Sequence, residues 1–516
     1  MKNYFATILL GLTICSAGAQ AQQRQSPNII LFLVDDMGWM DNSVPFSGAK
    51  LTLNQRYRTP NMERLAAQGV LFSNAYATPV CTPSRVSLMT GMNAAHHGVT
   101  NWTSPVKNKN TDAPDSLFSP APWNVNGLSP RQGDSATVYA ATYPQLLKAA
   151  GYYTIHVGKG HWGPMGMPGA NPLNLGFEVN ISGHAAGHPQ SYLSEEHYGN
   201  LPGKNSVQSV PDLEEYYDSG DFLTEALTKE AIKAMATPIA RRQPFYLNLA
   251  HYAVHDPITA DPRFYQQYKD AGLNAAEAKY ASMIEGMDKS LGDIMDYLER
   301  QHVAGNTIII FMSDNGGLSL NPPRGGAAHS QNLPLKAGKG SVYEGGIREP
   351  MLVKWPAVTK PGAVCSQPLI IEDFFPTILE MAGVKKYNTP QEVDGKSFVP
   401  LLRNPAQDQP ERALVWHYPD KWIPKGGPGI NYHSAIRKGR WKLVYNMRTG
   451  AKELYDLATD IGEVNNLAAK QPAKVDELAK LLSDQLRRWK APMPVITATG
   501  EPVRMPDELV QVYKMK

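Results

Sequence analysis

Two acidic pairs of the sequence stand directly after apolar runs. Asp35 and Asp36 follow I-I-L-F-L-V, and Asp314 and Asn315 follow I-I-I-F-M-S. Such runs are typical of buried parallel strands, and ligands bind beyond the carboxyl ends of such strands. The four side chains offer the hard oxygen ligands that Ca²⁺ or Mg²⁺ prefers. Because neighbouring residues of a strand face opposite ways, both members of a pair reach one ion only from a loop. Taken alone, each pair could instead form a turn or a helix cap.

Lys159 and His161 stand two positions apart in the segment G-K-G-H-W-G. Side chains at this spacing project to one side of an extended chain, so a fixed cation would lie beside an imidazole. This pairing suits the binding of an anion and the transfer of a proton, with a glycine-rich surface turn as the alternative. His255 lies in H-Y-A-V-H-D-P after a further apolar run, and offers an acid that works near neutral pH. His251 in the same segment is interpreted as structural.

Cys81 is one of three cysteines in 516 residues and opens the segment C-T-P-S-R-V-S-L-M-T-G. The pattern predicts a helix with Thr82 as its N-cap and Gly91 at its end. The N–H groups and partial positive charge of a helix start, with Arg85 one turn on, favour a side chain that handles an anion. The cysteine could also be buried and inert, or a reactive thiolate.

The segment that Cys81 opens resembles the signature of the type I sulfatases. In that family the cysteine is oxidised after translation to formylglycine, whose hydrated form attacks the sulfur of a sulfate ester. The segment G-K-G-H-W-G resembles the family motif G-K-W-H-L-G. The segments L-K-A-G-K-G and Y-E-G-G-I-R-E-P resemble P-L-R-G-G-K-G and Y-E-G-G-I-R-V-P, with Lys336 and Ala337 where arginine and glycine are usual. The resemblance covers roughly residues 26–470 with motifs in the family's order.

The resemblance implies one divalent cation, calcium rather than magnesium, bound by Asp35, Asp36, Asp314 and Asn315. It implies formylglycine at position 81. The implied catalytic residues are Cys81, Arg85, Lys159, His161, His255 and Lys339. In this scheme the two lysines bind the sulfate, His255 protonates the departing sugar oxygen, and His161 assists the expulsion of sulfate.

A sulfated carbohydrate is the expected substrate. The segment G-H-A-A-G-H-P-Q-S-Y resembles bacterial sulfatases that desulfate galactose or N-acetylgalactosamine in glycans. The preferred prediction is a 4-O-sulfated galactose-type sugar, and a 6-O-sulfated hexosamine comes second. The sequence also leaves open a phosphatase or phosphodiesterase of the same superfold, and a glycan-binding protein without turnover. The candidates for the sugar pocket are His184, His188, Arg324, His329 and His417.

The bulk composition fits an ordinary globular protein, with 42% hydrophobic and 19% charged residues. The net charge of +3 and the absence of a dense basic run argue against a nucleic-acid partner. Residues 1–22 read as a secretory signal with a basic start, a short apolar region and small residues at the cleavage site. We therefore expect export to the periplasm or secretion from a bacterium, without a stable membrane span. Lipid anchoring at Cys15 is less favoured.

Export machinery and a formylglycine-generating maturation enzyme are then the expected partners. Removal of the signal would leave Cys81 and Cys365, and these two could form a disulfide in an oxidising compartment.

The elements that must position these residues alternate along the chain. Apolar strand-like runs and amphipathic helical stretches predict an α/β fold: a doubly wound, mostly parallel sheet flanked by helices, of the alkaline phosphatase-like kind. From about residue 404 the pattern changes to short strands followed by an amphipathic helix, which predicts a smaller subdomain of antiparallel sheet plus helix. The predicted domains are 23–410 and 411–516. The predicted strands are 28–34, 153–157, 245–250, 307–312, 434–437, 441–445 and 453–457, and the helices are 60–69, 143–150, 280–300 and 472–490.

Overall fold

The structure is a computed structural model that describes residues 26–409 and 411–508. The predicted signal at 1–22 and Cys15 therefore lie outside the described residues. Within the described part of the chain, every helix is too short or too polar to cross a membrane.

The strands and helices follow the predicted alternation. The strands are β1 Asn28–Val34, β2 Val70–Tyr76, β3 Phe118–Ser119, β4 Leu128–Ser129, β5 Val138–Tyr139, β6 Tyr153–Gly158, β7 Val179–Ile181, β8 Phe245–Ala250, β9 Thr307–Ser313, β10 Arg348–Lys354, β11 Ala363–Cys365, β12 Leu369–Ile370, β13 Ala413–Tyr418, β14 His433–Lys438, β15 Trp441–Asn446, β16 Lys452–Asp456 and β17 Val495–Ile496. The helices are α1 Pro60–Gln68, α2 Cys81–Thr90, α3 Ala94–His97, α4 Tyr143–Ala149, α5 Leu223–Ala240, α6 Tyr265–Asp270, α7 Ala275–Arg300, α8 Glu344–Ile347, α9 Phe374–Met381, α10 Val399–Arg403 and α11 Pro472–Arg488.

A nine-stranded sheet forms the centre of the molecule, in the order β11-β2-β10-β9-β1-β8-β6-β7, with β12 also paired to β2. Strands β9, β1, β8, β6 and β7 are parallel, and β10 runs antiparallel to both β9 and β2. The four apolar runs predicted as parallel strands are thus β1, β6, β8 and β9, which are neighbours. The predicted fold class is confirmed.

Both faces of this sheet are covered. In β1, Ile29 and Leu31 belong to the core on one face, whereas Ile30 and Phe32 belong to the core on the other. The second face is covered by α7, whose apolar stripe includes Met287. A strand buried on both faces reads as a continuous apolar run because neither set of alternating side chains meets water.

The smaller sheet in the C-terminal region is antiparallel, in the order β13-β14-β15-β16, as predicted. Helix α11 packs on it through one stripe, in which Val475, Leu478 and Leu482 meet Leu443 of β15. The spacing of these helical residues places them on one face.

A buried ion-pair cluster joins the two sheets. Lys442 of β15 lies 2.9 Å from Glu344 Oε1 and 2.8 Å from Glu463 Oε1, and all three side chains are excluded from solvent. Glu344, in the glycine-rich segment before β10, also accepts hydrogen bonds from Arg348 Nε and the Tyr76 hydroxyl, each at 2.7 Å. Burial alone would raise the pKa of Glu344, but the Lys442 and Arg348 charges lower it to about 2.

We expect Lys442→Met to lower the free energy of unfolding by about 3–5 kcal/mol, because two buried carboxyl groups lose their shared cation. Urea denaturation followed by circular dichroism measures the effect. The matched control is Lys480→Met, which removes a largely exposed partner of Asp484 and should change stability by less than about 0.5 kcal/mol. Equal stability losses in the two variants would contradict the role of the buried cluster.

Candidate active site

The two acidic pairs and the first lysine meet at one edge of the large sheet. Asp35 and Asp36 follow β1, Asp314 and Asn315 follow β9, and Lys159 follows β6. These strands are parallel and lie within the same run of neighbours, so their carboxyl ends share an edge. All five side chains are buried. The structure thus brings the predicted metal-ligating residues together.

The backbone at Asp36 explains how both carboxylates of its pair face one point. Its φ angle is +59°, in the left-handed region that turns the chain sharply after the strand. The Asp36 amide lies 3.4 Å from Asp314 Oδ1, and the Asn315 side-chain amide donates to Asp36 Oδ1 at 2.7 Å. The pairs from two different strands therefore converge.

The acidic set is balanced by two buried lysines. Lys159 Nζ lies 2.5 Å from Asp35 Oδ2, and Lys339 Nζ lies 2.6 Å from Asp36 Oδ1. Burial and the neighbouring Asp314 charge raise the pKa of Asp35 to about 8, against the opposing charge of Lys159. At Asp36 burial acts to raise the pKa, but Lys339 and His255 bring it below its ordinary value. The two acids of one pair are thus in different electrostatic surroundings.

The donor set fits a single hard cation. Asp35 Oδ1 and Asn315 Oδ1 are buried and have no hydrogen-bond partner among the described residues. Unpartnered buried oxygens are costly unless a donor or a cation satisfies them. Ligand atoms of Asp35, Asp36 and His255 lie within 4.8 Å of one another, which adds a histidine that the sequence did not predict as a ligand. An oxygen-rich set of this kind suits Ca²⁺ or Mg²⁺.

Cys81 occupies the start of α2 and lies near the cluster of Asp35, Asp36, Asp314 and Asn315, which is called the acidic edge below. The helix begins at Cys81 itself with Val80 as its N-cap, so the predicted cap at Thr82 is wrong. Thr82 is already helical, and its hydroxyl instead accepts a hydrogen bond from the Thr103 amide at 3.1 Å. Gly91 ends the helix at φ +70°, as predicted.

The thiol of Cys81 is buried and 3.4 Å from His161 Nδ1. Burial raises its pKa although Lys159 and Lys339 act to lower it, so the unmodified thiol is held protonated and is a weak nucleophile. Cys81 and Cys365 are both free, which contradicts a disulfide between them.

Arg85 lies one turn along α2 and contacts the acidic residues near Cys81. Its Nε donates to Asp314 Oδ2 and its Nη1 to the Lys159 carbonyl, at 2.8 and 3.0 Å. Its Nη2 is buried and lies 2.8 Å from the same Asp314 Oδ2, so the guanidinium is held on that carboxylate as an ion pair. The Trp162 indole donates to the Arg85 carbonyl at 3.1 Å and ties α2 to the segment that carries Lys159.

The protonation state of His161 follows from its contacts. Its Nε2 lies 2.9 Å from the Thr103 carbonyl, which can only accept, so Nε2 carries the proton of the neutral ring. Burial and the Lys159 charge hold the pKa of His161 well below its ordinary value. The lone pair of Nδ1 therefore faces Cys81, as a general base requires.

A family model described as "Sulfatase" matches residues 27–384. The chain belongs to the sulfatase family. A second model, "N-sulphoglucosamine sulphohydrolase, C-terminal", matches residues 338–491.

Relatives cover nearly the whole chain of this sulfatase. A protein of Formosa agariphila named "Sulfatase" is 30% identical, covering 95% of this chain and 94% of that protein. The mouse N-acetylgalactosamine-6-sulfatase is 31% identical, covering 92% of this chain and 89% of that enzyme. Among solved structures, Ps i-CgsB is 28% identical with a TM-score of 0.68, covering 90% of this chain and 93% of that one. The same protein in complex with k-i-k-neocarrahexaose is 27% identical with a TM-score of 0.66 and the same coverage. The chain is thus a sulfuric ester hydrolase.

His255 lies in the loop after β8, at the mouth of the sulfatase site. Its Nδ1 lies 3.1 Å from the Asp256 carbonyl, and its Nε2 lies 3.5 Å from Asp36 Oδ2. Burial and the Lys339 charge lower the pKa of His255 well below its ordinary value. His251 is structural instead, because its Nε2 bonds the Ser290 hydroxyl in the interior at 2.8 Å.

The loop that carries His184 and His188 wraps over the catalytic candidates. The His184 carbonyl accepts from the His161 amide at 3.0 Å, and the ring of His188 stacks on that of His255 with centroids 5.6 Å apart. A Cβ added at Gly187 would stand 2.7 Å from the His161 ring, so glycine is needed for this approach.

The remaining candidates for the sugar pocket make their observed contacts with residues other than the four predicted metal ligands. Arg324 Nη2 donates to the Ser330 carbonyl and its charge acts on the buried Asp41, so it orders its own loop. His329 packs against Gly427. The structure does not place His417 at the site, because its two ring nitrogens bond the Ser434 hydroxyl and the Pro492 carbonyl within the C-terminal region.

The side chain of Lys336 contacts two tyrosines instead of the acidic edge. Its Nζ lies over the Tyr343 ring and bonds the Tyr455 hydroxyl at 3.1 Å. This lysine therefore contacts the C-terminal subdomain, whereas Lys339 reaches the site.

Proposed function

We propose that this sulfatase hydrolyses 4-O-sulfate esters of galactose or N-acetylgalactosamine in glycans, with formylglycine at position 81 and one calcium ion. The observation that carries the proposal is the arrangement around Cys81. Three cationic side chains, Arg85, Lys159 and Lys339, surround it, and the acidic edge beside it holds two buried oxygens without partners among the described residues.

The cation and the modified residue would supply a Lewis acid and an oxygen nucleophile, which the unmodified side chains of the site do not provide. When bound by Asp35, Asp36, Asp314 and Asn315, a calcium ion would polarise a sulfate oxygen and stabilise negative charge at position 81. Cys81, once oxidised to formylglycine, would supply an oxygen nucleophile that a protonated thiol cannot.

The cationic side chains bind and orient the sulfate. Lys159 and Lys339 are held on Asp35 and Asp36 by buried ion pairs, so their positions are fixed before substrate arrives. Arg85 is fixed in the same way, with its Nη2 2.8 Å from Asp314 Oδ2. Preorganised charges of this kind cost no reorganisation when charge develops on the sulfate oxygens.

Two histidines divide the proton transfers. His161 presents an unprotonated Nδ1 to position 81 and is suited to take a proton there. His255 donates through Nδ1 to a backbone carbonyl, so it acts as an acid only through a second proton at Nε2, which faces Asp36. Burial and the Lys339 charge oppose that second proton, whereas the negative charges of Asp36 and of the bound sulfate act in its favour.

A galactose-type sugar is supported by the histidine-bearing loop at the site mouth and by the relatives. The Ps i-CgsB structure contains k-i-k-neocarrahexaose, and the mouse relative is named N-acetylgalactosamine-6-sulfatase. The latter name makes 6-O-sulfated N-acetylgalactosamine the second candidate.

Sulfate release from a panel of defined sulfated mono- and oligosaccharides tests the proposed function. We expect release from galactose or N-acetylgalactosamine 4-sulfates at rates well above those from glucosamine sulfates. Preferential release from the 6-sulfates would replace the first candidate with the second. Turnover of phosphate esters without turnover of sulfate esters would overturn both.

We expect His255→Gln to lower the rate by about 10²- to 10⁴-fold on sugar sulfates, because a sugar alkoxide leaves poorly without a proton. An aryl sulfate with an acidic phenol needs no such proton, so its rate should change by less than about tenfold. Values of kcat/KM on the two substrates measure the difference.

The control for this prediction is His302→Gln, an exposed histidine beyond α7, which should change neither rate. Equal losses on sugar and aryl sulfates would contradict an acid role for His255. Equal losses combined with weaker Ca²⁺ binding would make His255 a metal ligand instead.

We further propose export of the chain through the signal at 1–22, followed by action in the periplasm or outside the cell. The basic start and short apolar region of that segment support this proposal. A formylglycine-generating enzyme would have to act on Cys81 before folding, since the side chain is buried in the folded chain.

A further inference from the structure

His188 lies directly against the residue proposed to protonate the leaving oxygen. Its ring is nearly parallel to that of His255, at an interplanar angle of 13° and a centroid distance of 5.6 Å. Because the two rings are stacked, a substrate group that bonds His255 Nε2 would bring the adjacent substrate atoms close to His188. The backbone of the same loop is fixed by the 3.0 Å bond from the His161 amide to the His184 carbonyl.

The hydrogen-bonding character of His188 is set by its own backbone. Nδ1 lies 3.0 Å from the Pro189 carbonyl, which only accepts, so Nδ1 carries the proton of the neutral ring. Nε2 therefore holds a lone pair, and no donor among the described residues is bonded to it.

We propose that His188 Nε2 accepts a hydrogen bond from the sugar hydroxyl on the carbon next to the sulfate ester, and thereby selects sugars that carry this hydroxyl. For a galactose 4-sulfate the hydroxyl is the one at carbon 3. The inference rests on the proposed function, since it requires the ester oxygen to lie at His255. The sugar hydroxyl must donate, because Nε2 has no proton to give.

Three substrates test whether the hydroxyl at carbon 3 must donate a hydrogen bond or only has to be polar. They are a galactose 4-sulfate, its 3-deoxy analogue and its 3-fluoro analogue. Fluorine cannot donate a hydrogen bond. The unaltered enzyme should lose about 10- to 100-fold in kcat/KM on both analogues, the cost of one buried hydrogen bond to a site left unpaired.

His188→Leu should lose about the same factor on the parent sugar and turn over all three substrates at similar rates. His188→Gln places an amide oxygen near the position of Nε2 and should restore part of the preference for the parent. His197→Leu is the matched control, because it removes a stacked histidine that pairs with Asp218 instead. This control should keep the full preference.

A uniform loss on all three substrates in His188→Leu would show that His188 only supports the ring of His255, and would overturn the inference. Retention of the full preference in that variant would overturn it as well. The absence of sulfate release from the parent sugar by the unaltered enzyme would instead overturn the proposed substrate, and the inference with it.

Discussion

Cys81→Ala is expected to lower sulfate release by roughly 10⁵-fold or more, because it removes the side chain proposed to become the nucleophile. The fold should survive, since the change deletes only one sulfur atom at the start of α2 and costs about 1 kcal/mol. Sulfate release is measured directly, and thermal melting checks the fold. Arg85, Lys159 and Lys339 remain in place, so the variant should still bind inorganic sulfate.

Cys365→Ala is the control for this prediction. Cys365 is the other free, buried cysteine of the described chain, but it lies on β11 at the far edge of the sheet. This variant should retain full turnover. The peptide that contains position 81 should have a lower mass in active enzyme than the unmodified cysteine peptide. Near-normal turnover by Cys81→Ala, or an active enzyme with an unaltered thiol, would refute the proposed nucleophile.

Removal of the cation is expected to abolish turnover and to lower stability. A ligand that binds only the folded chain stabilises it by about 2.7 kcal/mol at 100 times its Kd, so Ca²⁺ should raise the melting temperature of chelator-treated enzyme. Asp35→Asn replaces a carboxylate ligand of the cation with a neutral amide oxygen. It should weaken Ca²⁺ binding by more than the roughly 10- to 100-fold that loss of a supporting residue costs.

Melting curves with and without Ca²⁺, together with the metal content of the purified protein, measure this effect independently of turnover. Asp261→Asn is the matched control, because this buried carboxylate pairs with Arg263 away from the acidic edge. It should keep the full response to Ca²⁺. An unchanged response in Asp35→Asn, or full activity in excess chelator, would remove the cation from the proposal.

The central strands and the convergence of the acids could be predicted because both depend on chain pattern alone. A strand such as β1 is apolar throughout when both faces are covered, and parallel strands present their carboxyl ends at one edge. The short edge strands β7, β11 and β12 have no such runs. Their pairing is decided by tertiary contacts.

The details of the site depended on geometry that residue types do not encode. The cap at Thr82 failed because the backbone turns helical two residues earlier, with Val80 as the N-cap. His417 could not be separated from His188 by type, although its ring nitrogens are used up inside the C-terminal region. The Thr103 carbonyl, which fixes the proton of His161, carries no sequence signal because any residue would supply it.

The cluster of Lys442, Glu344 and Glu463 has a consequence for engineering chimeras between relatives. A crossover placed at the change of sequence pattern near residue 404 would separate Lys442 from Glu344. The C-terminal part taken from a relative would then have to supply a basic side chain at the position of Lys442. Without it, the buried carboxylate of Glu344 would lose this ion pair. Productive recombination boundaries should therefore lie before residue 336, so that Lys339 travels together with the subdomain that anchors its segment.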